Sequence, residues 1–101
     1  MPYSVHFTGQ ALADQAGITE YLVKTLGSPD AARRFLDELE GLVSTLECTP
    51  EAFATLTEPK LHALGYRKIP FMNYIALFRV ESDRVYITHL FHQSQDYARL
   101  I

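Results

Sequence analysis

Apolar residues recur along the chain with two different periods, and these periods divide it into strands and helices. Residues 2–8 alternate between apolar and polar side chains, which predicts a half-buried strand. Residues 10–26 follow with apolar positions at loosely helical spacing. We expect Thr8 to cap the start of this helix and Gly27 to end it.

The second helix has the clearest pattern in the chain. Ser28 is well placed to cap it, and Pro29 suits its first turn, where a missing N–H does no harm. Because only a tight Gly-Ser-Pro turn separates this helix from the first, the two are predicted to form an antiparallel hairpin. One buried stripe is predicted from seven apolar residues spaced three and four apart: Ala32, Phe35, Leu36, Leu39, Leu42, Val43 and Leu46.

After Gly65 the period changes to two, and three strands are predicted. In the first of them, residues 66–71, Arg67 and Ile69 share one face and Lys68 takes the other. Residues 74–80 are apolar on both faces, as a central strand would be. The third strand, by simple alternation, directs Val85, Ile87, His89 and Phe91 to one face and Tyr86, Thr88, Leu90 and His92 to the other.

Short turns between these strands predict an antiparallel meander. The predicted order is therefore β-α-α-β-β-β, in one domain spanning residues 1–101. We expect an α+β fold with a helical hairpin packed on one face of a small antiparallel sheet, followed by a short C-terminal tail or helical turn.

Composition narrows the class of protein. Apolar residues make up 48% of the chain and charged residues 21%, which is ordinary for a soluble globular domain. No apolar run approaches the ~18 residues that a membrane span requires. A single cysteine, Cys48, excludes an intramolecular disulfide. These features favour a cytoplasmic protein without a membrane partner.

Charge is unevenly distributed around a net value of −3. Residues 1–58 hold three basic and nine acidic side chains, whereas residues 59–101 hold six basic and three acidic ones. A basic second half suggests an anionic partner for that half. With so few charges, a chance difference between solvated faces remains an equal alternative.

Three stretches, taken in order, resemble the RelE/ParE superfamily of small bacterial toxins: FTGQALADQAGITEYL, AARRFLDELEGLVSTLECTP and GYRKIPFMNYIALFRVESDRVYITHLFHQSQDY. They cover nearly the whole chain, and the tail FHQSQDY is similar to the ParE-like branch, which belongs to the plasmid stabilisation toxins. The resemblance implies a type II toxin neutralised by a cognate antitoxin, usually through an acidic segment. RelE-like members cut mRNA on the ribosome, whereas ParE-like members bind DNA gyrase.

The two branches predict different chemistry. Metal-free RNA cleavage needs an acid–base pair and cations for the phosphate. The positions that align with two cations of RelE-like nucleases hold Ile69 and Ile75, and the chain is acidic overall, which is unfavourable for binding nucleic acid. We therefore expect a ParE-like inhibitor of gyrase that is not an enzyme. The alternatives are a metal-independent, ribosome-dependent endoribonuclease acting on mRNA and a degenerate, non-toxic member that binds antitoxin only.

Candidate contact residues for a target or an antitoxin are mostly basic and lie in the second half: Arg67, Lys68, Arg79, His92, Tyr97 and Arg99. If the chain is a nuclease, the resemblance and the charges point to Arg67, His92, Tyr97 and Arg99. His92 would be the acid–base group, although a strand-end histidine with a local hydrogen bond is the simpler interpretation. An antitoxin could bind as a helix in a groove or as an added strand.

No metal or cofactor is expected. His89 and His92 are three residues apart on a strand and therefore point to opposite faces. The aromatic residues of the strands are interpreted as core and cross-strand partners.

Overall fold

The structure, a computed structural model, describes residues 2–101 except for the side chain of Leu100. Within these residues it contains four strands and four α-helices. The elements, in chain order, are β1 (Ser4–Phe7), α1 (Gly9–Glu20), α2 (Pro29–Cys48), α3 (Pro59–Ala63), β2 (Arg67–Phe71), β3 (Tyr74–Glu81), β4 (Arg84–His92) and α4 (Tyr97–Leu100). This is the predicted α+β order, in which α4 is the predicted C-terminal helical turn and α3 is a short addition. Within the described residues, none of the helices combines the length and the apolar character that a membrane crossing needs.

The strands lie in the order β1-β4-β3-β2. Strands β2, β3 and β4 form the predicted antiparallel meander, but β1 runs parallel to β4, with Val5 opposite Val85. The prediction of a wholly antiparallel sheet was therefore wrong, and the sheet is mixed. Tight turns impose antiparallel pairing on the meander, whereas two helices follow β1 and leave its direction to long-range packing.

Local capping fixes the helix ends. The hydroxyl of Thr8 accepts a hydrogen bond from the N–H of Ala11 (3.2 Å), and Ser28 caps α2 in the same way. Gly27, at φ +63°, provides the left-handed turn between the two helices. The first α-helix ends earlier than predicted, because after Glu20 the chain passes into a π-helical turn, Tyr21–Thr25.

The main core lies between the α1–α2 hairpin and one face of the sheet, which we call the helix face. Phe35 and Leu46 of α2 are fully buried there against Phe78 and Ile87. The predicted stripe of α2 therefore forms the core, except that Leu36 remains 41% exposed.

A β-bulge in β4 changes which side chains share a face. Leu77 pairs with His89 and Phe78 with Ile87, so Thr88 is the extra residue. Beyond it, Leu90 joins Ile87 on the helix face, whereas His89 turns to the opposite side. The alternation predicted for residues 85–92 is correct only up to the bulge, because one inserted residue reverses every later side chain.

The opposite face of the sheet, which we call the tail face, carries a smaller second core. Ile75, Leu77 and Phe91 form its sheet side. The connector before β2 and the C-terminal segment cover it with Leu56, Leu61, Tyr66, Tyr97, Ala98 and Ile101. The helical hairpin packs on one face of the sheet, and these residues largely cover the other.

Candidate functional site

The six predicted contact residues do not form one cluster. Arg67 lies on the helix face, in register with Phe78, while Lys68 follows it on the tail face. Arg79 also belongs to the tail face, where its guanidinium lies over the ring of Tyr66, 5.7 Å from the centroid. Both Tyr97 and Arg99 are on α4, the first half-buried and the second exposed.

Arg67 has a structural partner. Its guanidinium donates a hydrogen bond to the backbone carbonyl of Phe53. The same connector bridges to β2 at Thr55, and the N–H of Leu56 donates to the carbonyl of Tyr66 (2.9 Å). Arg67 therefore holds the connector against the sheet edge, and this contact uses one of the N–H donors of its guanidinium.

His92 is exposed at the end of β4, and its surroundings fix its tautomer. Nδ1 accepts a hydrogen bond from the N–H of Ser94 (3.2 Å) and lies 2.8 Å from the Ser94 hydroxyl. The proton of the neutral ring is therefore on Nε2. The ring meets Tyr74 edge-on, with 5.7 Å between centroids. His92 thus presents one N–H donor beside a tyrosine, without a cation in hydrogen-bonding contact among the described residues.

A row of stacked side chains crosses the tail face. His89 stacks on Phe91 at 5.5 Å, and Phe91 stacks on Tyr97 at 6.0 Å, while Tyr66 meets His89 edge-on. Two of these rings are almost completely buried: Tyr66 is 7% exposed and Phe91 8%. This low exposure supports the interpretation of the strand aromatics as packing partners, because little of the Tyr66 or Phe91 ring is accessible for stacking on a nucleic-acid base.

His89 also has a defined tautomer. Thr88 donates its hydroxyl proton to the carbonyl of Leu77 (3.3 Å), so it accepts from Nδ1 of His89 at 2.9 Å. Burial lowers the pKa of His89, and the charge of Asp14 opposes this effect. The ring is therefore neutral near pH 7, and its Nδ1–H is used internally.

Side chains cap the edge of β4 beyond the point where β1 ends. The hydroxyl of Thr8 donates to the carbonyl of Thr88 (3.1 Å), and the carboxylate of Asp14 accepts from the N–H of Leu90 (2.9 Å). At the end of the strand, Gln95 accepts from the N–H of His92 (2.8 Å). These contacts replace a neighbouring strand, so this edge is closed to strand addition.

A groove of about 770 Å³ runs between the first helix and the end of the β-meander. We call it the α1–β4 groove. It is lined by Ala13, Asp14, Gly17, Ile18, Tyr21, Leu22, Leu26, Asn73, Tyr74, Leu90, Phe91, His92 and Gln95. Of the predicted contact residues, this groove contains only His92. The other residues of the groove were not predicted from the sequence. Leu26, for example, has the spacing of an ordinary apolar helix position, yet it is 57% exposed.

A second groove, of about 540 Å³, lies on the tail side. Residues 54–58 form one wall and residues 95–98 the other, with Lys68 and Pro70 of β2 between them. Pro70 has no N–H to offer on this edge strand. Lys68 and Tyr97 are the two predicted contact residues that meet here.

In the described part of the chain, no three His, Cys, Asp or Glu side chains come together as a possible set of metal ligands. The four histidines differ in surroundings, and His89 and His92 lie on opposite faces of β4.

The chain has a helical hairpin on one face of a mixed four-stranded sheet, and three of the strands form an antiparallel meander followed by a short C-terminal helix. This is the architecture of a RelE/ParE-superfamily toxin. The chain belongs to the family of ParE toxins of the type II toxin–antitoxin system parDE, whose family model matches residues 5–97. No curated protein matches the chain.

Two solved structures are similar to the chain. A chain of the chromosomal ParDE toxin–antitoxin system from P. aeruginosa is 22% identical, with a TM-score of 0.70, and the match covers 90% of this chain and 96% of that one. A chain of the RelBE2 toxin–antitoxin complex from Mycobacterium tuberculosis is 20% identical, with a TM-score of 0.47, over 91% of this chain and 99% of that one. At 22% identity, the likeness to the P. aeruginosa chain concerns the fold alone.

Proposed function

We propose that this ParE-family toxin acts in the cytoplasm by binding DNA gyrase and that a cognate antitoxin, encoded by an adjacent small reading frame, neutralises it. Membership of the ParE family supports the gyrase target over the ribosome. The antitoxin partner is supported by the same family description, which pairs toxin with antitoxin.

The observation that carries the proposal is the apolar centre of the tail face. Ile75, Leu77 and Phe91 occupy the middle of this face, and the C-terminal segment covers them. A metal-free nuclease needs an acid–base pair and cations around one phosphate. Arg67 is bound to Phe53 on the helix face instead, so its guanidinium is not directed toward such a centre. Binding without catalysis fits this arrangement better.

We assign the target contact to the basic side chains on the tail side. Lys68 and Arg99 are exposed, and Arg79 is partly exposed above Tyr66. Tyr97 joins Lys68 at the tail-side groove. The outer surface of α2, in contrast, carries Asp37, Glu38, Glu40 and Glu47, so an acidic target surface would be steered toward the tail side.

A supercoiling assay tests the proposal. Purified gyrase should lose activity on relaxed plasmid DNA when the chain is added in excess. A Lys68→Glu/Arg99→Glu variant should need a concentration at least about tenfold higher, because two favourable rim charges are reversed. The matched control is Lys24→Glu/Arg34→Glu, which reverses one lysine and one arginine on exposed parts of the helical hairpin. Unchanged supercoiling at large excess of the wild-type chain would exclude gyrase as the target.

Primer extension on translated mRNA tests the nuclease alternative. Ribosome-dependent cuts that disappear in His92→Ala would establish cleavage and overturn the proposal of binding alone. Intact message in the presence of the wild-type chain is the result we expect.

A further inference from the structure

The helical hairpin carries a groove of its own on the side of the molecule that faces away from the tail face. We call it the hairpin groove. It has a volume of about 260 Å³ and lies between α1 and α2 above β1. Six residues line it: Phe7, Gln15, Leu36, Leu39, Glu40 and Val43. None of the predicted contact residues belongs to this groove, so it is separate from the surfaces described above.

Large apolar side chains are exposed at the mouth of the hairpin groove. Leu12 of α1 is 54% exposed and Leu36 of α2 is 41% exposed. Leu12 precedes Gln15 by three residues, so the two lie on the same side of α1. Val43, on the groove wall, is only half-buried. The apolar stripe predicted for α2 is therefore wider than the core, and its outer part forms an exposed patch that favours a protein partner.

The charges beside the groove follow a definite order along α2. Five residues at intervals of three and four form the flank of this helix that borders the groove: Arg33, Leu36, Glu40, Val43 and Glu47. The flank therefore begins with a cation, alternates with apolar residues and ends with carboxylates. Within the described residues, neither Glu40 nor Glu47 has a salt-bridge partner. A partner with the reverse order of charges would complement this flank.

A second copy of the same helix, running antiparallel, has that reverse order. When Leu36 lies opposite Glu40 of the second copy, its neighbours there, one turn to either side, are Leu36 and Val43. Arg33 then lies between Glu40 and Glu47 of the second copy. Because the two copies are related by a twofold axis, every contact occurs twice. A parallel arrangement would instead place Arg33 beside Arg33 and Glu40 beside Glu40, which is repulsive.

Arg33 is free to change its partner at little cost. Its guanidinium donates to Asp30 in the first turn of α2 at 2.6 Å, and the two side chains are 68% and 83% exposed. An exposed ion pair of this kind contributes little to stability. The existing contact therefore does not prevent Arg33 from pairing with carboxylates of a second copy.

The size of the flank predicts a dimer of modest affinity. The 20 residues of α2 span about 30 Å, and α1 adds only the side that carries Leu12 and Gln15. This is a contact at the lower end of the range for specific interfaces, with a small apolar centre. We therefore expect a dissociation constant of about 1–100 µM.

We propose that the chain forms a twofold-symmetric dimer through the hairpin groove, with α2 antiparallel to α2 of a second copy. Leu36 and Val43 form the apolar centre of this interface, and Arg33 pairs with Glu40 and Glu47 of the other copy. The inference depends on neither the gyrase target nor the antitoxin. Because the interface lies on the helix side, both tail faces remain exposed in the dimer.

Analytical ultracentrifugation of the full chain over a range of concentrations tests the interface. Leu36→Glu places a carboxylate at the apolar centre, beside Glu40 of the second copy, and should weaken dimerisation at least about 30-fold. Leu64→Glu is the matched control, since Leu64 is 47% exposed at the end of α3. It should dimerise like the wild type.

Charge reversal tests the antiparallel orientation. Arg33→Glu and Glu40→Arg should each weaken dimerisation about fivefold, and the double variant should recover most of the loss because the pairs are re-formed with opposite signs. Arg34→Glu, one residue along α2 and therefore directed away from the flank, is the matched control. Circular dichroism and urea unfolding of each variant show whether the fold is retained.

The outcomes are distinct. A wild-type chain that remains monomeric at about 500 µM would overturn the proposal. A dimer that Leu36→Glu and Leu64→Glu affect equally would place the interface elsewhere and would also overturn it. Loss of dimer in Leu36→Glu without recovery in the double charge variant would exclude the antiparallel orientation. If the chain stays monomeric and Leu36→Glu instead weakens binding of the adjacent gene product, the occupant is the antitoxin and the second copy is wrong.

Discussion

Replacing Asp14 with alanine should lower the free energy of unfolding by about 2 kcal/mol, because its carboxylate is the acceptor for the N–H of Leu90 just after the bulge. Leu90 is only 3% exposed, and β1 ends before it could pair with this part of β4. Gln10 donates to the other carboxylate oxygen at 2.8 Å and orients the group. The contact therefore joins α1 to an edge of the sheet that has no strand beside it.

The magnitude follows from two opposing effects. A hydrogen bond to a charged group contributes about 1.5–3 kcal/mol, and a buried N–H left unpaired costs a similar amount. The change from aspartate to alanine also raises helix propensity by about 0.5 kcal/mol. Asp37→Ala, at an exposed position of α2, carries that gain alone and serves as the control. The difference between the two variants should be about 2.5 kcal/mol, or roughly 10–20 °C in Tm for a domain of this size.

Urea unfolding followed by circular dichroism gives the free energies, and amide hydrogen exchange at Leu90 reports on the bond directly. Asp14→Asn should lie between wild type and Asp14→Ala, because an amide oxygen still accepts but lacks the charge. An Asp14→Ala variant within 0.5 kcal/mol of Asp37→Ala, with unchanged exchange at Leu90, would refute this reasoning.

Three further predictions concern the core, the pH dependence and a turn. Leu46→Ala should cost about 2–5 kcal/mol in urea unfolding because Leu46 is fully buried, whereas Leu36→Ala, at a position 41% exposed, should cost less than about 1 kcal/mol; similar costs would place the core elsewhere. Burial lowers the pKa of His89 below its ordinary value of 6.5, so the unfolded chain binds a proton more readily and stability is lost as the pH falls below about 6.5. His89→Gln should reduce the slope of stability between pH 7 and pH 5.5, and an unchanged slope would assign it to other groups. Met72→Gly should raise stability by about 1 kcal/mol by relieving the left-handed backbone at φ +53°, and a loss of stability would show that the side chain contributes packing instead.

Sequence patterns correctly predicted the elements that depend on residues close together in the chain. The start of α2 followed from Ser28 and Pro29, and the meander followed from short turns between alternating strands. Neither the parallel pairing of β1 nor the bulge at Thr88 has a local signal. The bulge falls where two polar residues, Thr88 and His89, follow each other. The extra residue therefore does not interrupt the apolar positions of β4 in a way that the sequence would show.

The same limits apply to the candidate site. Arg67 and Lys68 could be assigned to opposite faces by alternation, but which face carries the helices depends on how the hairpin packs. The α1–β4 groove joins Gly17 of the first helix to Tyr74 and His92 of the meander. Their proximity depends on long-range packing, which residue spacing does not encode.

Growth after induced expression tests the central claim, that this ParE-family chain is a toxin controlled by an antitoxin, most directly. Expression of the chain alone should arrest growth, and co-expression of the adjacent small reading frame should restore it. Cells that grow normally while the folded chain accumulates would contradict the account and would favour a degenerate family member without toxic activity.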